Sequence, residues 1–94
     1  MLHSTLVNFF TSLFMSSIKL YGPAFGTGFR CHWALAELNQ SYEAVPVDFA
    51  AGQLKSPEFL ALNPMGQVPV IDVDGVVLAE SLAINHYLCT KFGP

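Results

Sequence analysis

The sequence predicts an α/β domain, a mixed four-stranded sheet flanked by helices in the order β-α-β-α-β-β-α. Three observations carry that expectation. Short apolar runs at 18–21, 42–49, 70–73 and 76–79 read as strands, and stretches with helical spacing separate or follow them. Asp74-Gly75 between the last two runs is a two-residue hairpin signal, which makes those strands antiparallel neighbours. The first two runs are joined through a helical stretch and form a crossover pair.

Each element has a local reason. Ile18 to Tyr21 is a short buried strand, stopped by Gly22-Pro23. Thr27 to Leu38 has helical spacing, with Phe29, Trp33 and Ala36 on one side and Leu35 and Leu38 close by. Asn39 suits the left-handed residue that ends a helix. Tyr42 to Phe49 alternates imperfectly and is read as the second strand, followed by the loop Ala50 to Lys55. Ser56-Pro57-Glu58 opens a helix: Ser caps, Pro occupies the first position where no N–H is needed, and Glu suits the positive end of the dipole. Asn63-Pro64 keeps that helix short. The last helix runs from about Leu82 to Phe92, with Ser81 as its N-cap. This order is the thioredoxin-like architecture, and no repeat or low-complexity tract interrupts it.

Ninety-four residues make one small domain, which buries roughly 60 to 65% of the surface its unfolded chain exposes. Hydrophobic residues make up 52% and charged residues 12%, an apolar balance for so short a chain and one that fits a surface meant for a partner. A net charge of −3 with four Lys plus Arg supplies no basic stripe, which argues against nucleic acid as a partner. Cys31 and Cys89 are too few for a disulfide framework or a metal cluster, and both read as packing residues in a reducing, cytoplasmic setting. His32 and His86 have no second ligand at i+4, so no metal is expected.

Residues 1–17 are read as an N-terminal extension, either disordered or an artefact of the start site, and 18–94 as the domain. Met1 to Met15 is apolar and hydroxyl-rich without Lys or Arg, lacks the positive start of a signal peptide, and is too short and interrupted to span a bilayer. The preferred reading is an over-extended start with Met15 as the natural first residue, and membrane contact is the alternative.

The richest stretch is Asn63-Pro64-Met65-Gly66-Gln67-Val68-Pro69-Val70, followed by Glu80-Ser81. A Pro before a β-branched run marks a strand entry, and a cis Val68-Pro69 bond there would leave the Val68 backbone free for a ligand. The unpaired N–H groups at the helix start beside Ser81 would bind a carboxylate. Because Glu80 precedes the cap rather than following it, a capping box does not explain the pair.

With Lys19-Leu20-Tyr21-Gly22 ahead and Ser56-Pro57-Glu58-Phe59-Leu60 between, these residues resemble the N-terminal domain of the cytosolic glutathione transferases, serine-type branch, from about Ile18 to Phe92. The resemblance implies glutathione as substrate. Its backbone would lie beside Val68, the residue before Pro69, like an added strand, with the Gln67 amide close by. Glu80 would pair with the γ-glutamyl ammonium, while Ser81 and the helix N–H groups take the carboxylate. Lys55 matches a position that meets the glycine carboxylate in several branches, although a lone surface Lys needs no partner but water; Gln53 is a weaker candidate.

The reaction end departs from the pattern. Serine-type members carry a hydroxyl four residues before the helix-one Arg, and here that position is Gly26, counted from Arg30. Thr27 reads as an N-cap, and the alternative is that its hydroxyl turns toward the thiolate. Tyr21 lies within strand one, where a core role is expected, and Arg30 is read as a brace for its helix or a partner for a carboxylate. Gly26-Thr27-Gly28 lacks the context of a dinucleotide loop, and no Cys stands at the helix-one start for glutaredoxin-like exchange. Two functions remain. One is a transferase domain that binds glutathione and, with a helical partner domain, promotes thiolate attack on an electrophile. The other is a non-catalytic glutathione-binding or protein-interaction module, including a truncated gene product, self-associating through apolar surface on helix one and the final helix.

Overall fold

Strand β1 (Ile18–Tyr21) lies inside a four-stranded sheet, parallel to β2 (Glu43–Val45) on one side and antiparallel to β3 (Val70–Val73) on the other. β4 (Val76–Ala79) pairs antiparallel with β3, giving the order β2-β1-β3-β4. The helices are α1 (Phe29–Glu37), α2 (Pro57–Leu62) and α3 (Ser81–Phe92), with short 3-10 turns at Gly26–Gly28 and Gln53–Lys55. The computed structural model describes residues 16–93, so the reading of Met1 to Met15 as an over-extended start lies outside the described residues.

Strand parity decides the layers. Ile18, Leu20, Ile71 and Val73 point to one face and meet Cys31 and Leu35 of α1 and Ile84 and Leu88 of α3, which together form the core. Tyr21, of opposite parity, meets Phe59 of α2 edge to face, with ring centroids 6.4 Å apart. Phe29 and Trp33 therefore occupy the outward side of α1: Trp33 is 59% exposed, and Phe25 just before the helix is 73% exposed.

Local chemistry sets most boundaries. α1 ends in a Schellman motif, with Asn39 at φ 55°, its N–H on the Ala36 carbonyl and the Gln40 N–H on that of Leu35. Ser56 caps α2 by accepting from the Phe59 N–H at 3.2 Å, with Pro57 at the first helical position. Asp74 and Gly75 both take positive φ between Val73 and Val76, as a two-residue hairpin turn requires. Asp74 also ties down the chain start: the Ser17 N–H donates to its carboxylate at 2.7 Å, and that bond, with a contribution from Ser16, holds the carboxyl below its usual range.

Two expectations are corrected here. The second strand covers only Glu43–Val45 rather than 42–49, because Pro46 has no N–H to continue the ladder. Cys89 is exposed and does not pack, since it lies on the solvent side of α3, whereas Cys31 is fully buried. Burial pushes the Cys31 thiol up to about 11 from 9.0. A raised thiol favours the folded state below its unfolded value, and that contribution is lost as pH climbs from about 9 through about 11. An alkylating reagent at pH 8 should modify Cys89 and spare Cys31, which peptide mapping by mass spectrometry checks.

Candidate functional site

Three segments distant in sequence meet beside the ends of β3 and β4. Thr27, Asn63, Gln67, Val68, Pro69, Glu80 and Ser81 line a cleft of about 130 Å³. Six of these seven are residues singled out from the sequence.

The floor comes from the turn before β3. Val68-Pro69 is cis, as expected, and β3 starts one residue later, at Val70. Among the described residues no hydrogen bond engages the Val68 N–H or carbonyl. Asn63, 6% exposed, shapes this turn: its Nδ2 donates to the Gln67 carbonyl at 2.8 Å, and its Oδ1 accepts from the Met65 N–H at 3.1 Å. The sequence places Asn63 in the motif and at the helix stop but assigns its side chain no partner. Its turn-forming role was signalled by Asn63-Pro64-Met65-Gly66, since Asn side chains fold back on the backbone two residues on.

The opposite wall is the junction of β4 and α3. β4 ends at Ala79 and α3 starts at Ser81, so Glu80 alone turns the chain and does so at φ 74°, ψ 117°. A left-handed φ on a non-glycine residue costs of order 1–3 kcal/mol and collects at functional positions. The N-cap is thus Glu80, whose carbonyl accepts the first helical bond from Ile84 at 2.9 Å. Ser81 is not the N-cap, because its own backbone is already helical. No side chain caps α3, which leaves its first N–H groups without a side-chain partner at the cleft that Glu80 and Ser81 line.

The third segment is the 3-10 turn Gly26–Gly28. Thr27 lies inside it and is not an N-cap: Phe25 caps the turn and Gly28 caps α1, neither through a side chain. The helical pattern read from Thr27 therefore becomes α-helical only at Phe29. Gly26 adopts φ 65°, and nothing lies within 4 Å of where its β-carbon would be, so this end of the cleft has no hydroxyl at that position.

The remaining candidates lie elsewhere. Lys55 is exposed and does not line the cleft; its Nζ sits near Gly66, 3.7 Å from where a β-carbon there would be. Gln53 accepts from the Asp48 N–H at 2.7 Å and joins Tyr21, Ser56, Glu58, Phe59 and Leu62 around a separate hollow of about 440 Å³. Tyr21, half-buried against Phe59, lines that hollow and not the cleft. Arg30 contributes its carbonyl, which accepts from Asn85 Nδ2 at 3.2 Å. Among the described residues no three His, Cys, Asp or Glu side chains could hold a metal ion, and no helix is long and apolar enough to cross a membrane.

Comparison with known proteins bears on this arrangement. A sequence model described as "Glutathione S-transferase, N-terminal domain" matches residues 16–90. Glutathione S-transferase 3 of Zea mays is 48% identical over 80 residues, which cover 83% of this chain and 36% of the maize protein. The crystal structure of glutathione transferase F7 from Populus trichocarpa matches with a TM-score of 0.75 at 46% identity, covering 80% of this chain and 36% of that one. A glutathione transferase homologue from Drosophila mojavensis, crystallised with bound glutathione, matches with a TM-score of 0.79 at 31% identity, over 84% of this chain and 36% of that one. The chain thus spans little more than a third of the length of these relatives, and within that third it shares their mixed sheet and flanking helices: it belongs to the glutathione S-transferase family and carries the family's N-terminal domain.

Proposed function

We propose that this domain binds glutathione in the cleft between the Gln67-Val68-Pro69 turn and the start of α3. The observation that carries the reading is the convergence on one cleft of a Val68 backbone unpaired among the described residues with Glu80, Ser81 and the uncapped helix end. Those groups answer the parts of a γ-glutamyl peptide. Its ammonium pairs with Glu80, its α-carboxylate takes the Ser81 hydroxyl and α3 N–H groups, and its backbone lies along Val68 with the Gln67 amide beside it. Lys55, in this reading, reaches the glycine carboxylate from outside the cleft. The relative crystallised with bound glutathione supports the choice of ligand.

The sulfur end then falls near Gly26 and Thr27. With a helical second domain to hold an electrophile, the domain would promote thiolate attack, Thr27 and the N–H groups of the helix start favouring the charge on sulfur. Gly26 favours a second reading, a module that binds glutathione without turnover, because no side chain there can donate to the sulfur. The two free thiols suit a reducing cytoplasm.

Calorimetric titration with glutathione at millimolar concentration tests the binding reading, and absence of heat would overturn it. A parallel assay with a chlorinated aromatic electrophile is expected to show little conjugation by this chain alone. Turnover near 10 per second, the median for enzymes, would instead assign the thiolate to Thr27.

Phe25, Phe29 and Trp33 leave an apolar stripe that suits a helical partner domain or a second copy of the chain. Light scattering should show self-association at micromolar concentration. Replacing Phe29 and Trp33 together by Ser should abolish it.

A further inference from the structure

We infer that His32 is a positioning residue for this cleft, acting through Gly22 on Val68. His32 lies half-buried on α1 with Nδ1 2.8 Å from the Tyr42 hydroxyl and Nε2 3.3 Å from the Gly22 carbonyl. A carbonyl only accepts, so Nε2 carries the proton and Nδ1 accepts from Tyr42. The ring thus joins α1 to the end of β1 and to the residue that precedes β2.

Gly22 is the piece being held. Its N–H donates to the Val45 carbonyl at 3.1 Å, and its own buried carbonyl has no partner but His32 among the described residues. It adopts φ 117°, and a β-carbon there would lie 2.9 Å from the Val68 β-carbon. The Val68 side chain therefore rests directly on the Gly22 backbone. Because no hydrogen bond among the described residues fixes Val68 itself, its position follows that of Gly22. Neighbours on α1 serve the other wall: the Cys31 thiol donates to the Ser81 carbonyl at 3.9 Å, and the Arg30 carbonyl receives Asn85 of α3. Three successive residues of α1 thereby set the spacing of the two walls, and His32 is the one that sets the Val68 side.

A core histidine satisfied only for stability would need no more than Tyr42. The contact with Gly22 sets this ring apart, because removing it strands a buried carbonyl directly behind Val68.

The proposal rests on the glutathione reading for its binding arm alone. The test compares wild type, His32→Leu, His32→Gln, Tyr42→Phe and Leu38→Ala as full chains by amide NMR and by glutathione titration. Leu38 packs on the core at the far end of α1 and serves as the stability control. In the free protein, the Val68 and Thr27 amide resonances should move in His32→Leu and, less, in Tyr42→Phe, and stay in place in Leu38→Ala. Glutathione affinity should fall about tenfold in His32→Leu. It should return to within about threefold in His32→Gln, whose amide N–H still reaches the Gly22 carbonyl. Equal resonance shifts in the control, or none in His32→Leu, would overturn the proposal. If His32→Leu does not fold, Tyr42→Phe and His32→Gln decide by the same resonances. A wild type that binds no glutathione would sink the functional reading, while the resonances of the free protein still judge the strut.

Discussion

Replacing Glu80 by Gln is expected to weaken glutathione binding by about 1 to 3 kcal/mol, and Ser81→Ala by a similar amount. Glu80 presents the carboxylate among the cleft residues, and the ligand ammonium it meets would otherwise stay solvated. Ser81 adds a hydroxyl donor to a helix end that no other side chain caps, so its loss leaves a carboxylate with N–H groups alone. The two should be non-additive, because both hold the same γ-glutamyl head. Glu80→Gly separates function from folding. Glycine takes φ 74° without the cost that glutamate carries, and the Glu80 side chain makes no capping bond that would be lost. The expected result is a domain more stable by roughly 1 kcal/mol that has lost most of its glutathione affinity. Calorimetry for affinity and thermal melts for stability check both halves. A variant that is destabilised as well as inert would mean that Glu80 holds the β4–α3 junction in the fold and not the ligand.

Leu88→Ala is expected to cost about 2 to 5 kcal/mol of folding free energy. Leu88 is fully buried and packs α3 against the sheet face that carries Leu20 and Ile71, with Leu35 of α1 in the same core. In a domain this small a loss of that size lowers the thermal midpoint by roughly 10 °C or more. An equally apolar change on the outward side, Trp33→Ala, should move the midpoint far less, because more than half of the Trp33 surface is already in water. Circular dichroism melts of the two variants side by side provide the check. With the melts run below the concentration at which light scattering detects self-association, a Trp33→Ala loss equal to that of Leu88→Ala would show that Trp33 belongs to the core of the single chain.

The sequence by itself determined the elements whose causes are local. Ser56-Pro57-Glu58 opens a helix wherever it stands, Asp74-Gly75 turns a hairpin, and Asn39 ends a helix in the left-handed region, because each depends on residues within a turn of itself. The grouping of Gln67, Val68, Pro69, Glu80 and Ser81 was likewise legible, through motifs whose spacing is fixed by one intervening hairpin. Tertiary structure decided the rest. Thr27 to Leu38 shows helical spacing, but only the sheet chose Cys31 and Leu35 as the inward side and turned Phe29 and Trp33 outward, since an apolar stripe does not state what it faces. Ser81 lost the cap to Glu80 because β4 and α3 meet with a single residue between them, a constraint set by how the helix docks on the sheet. His32 is a polar side chain whose partners, Gly22 and Tyr42, come within hydrogen-bond distance only once the chain has folded around it, whereas the bonds of Asn63 to Met65 and Gln67 stay within its own turn.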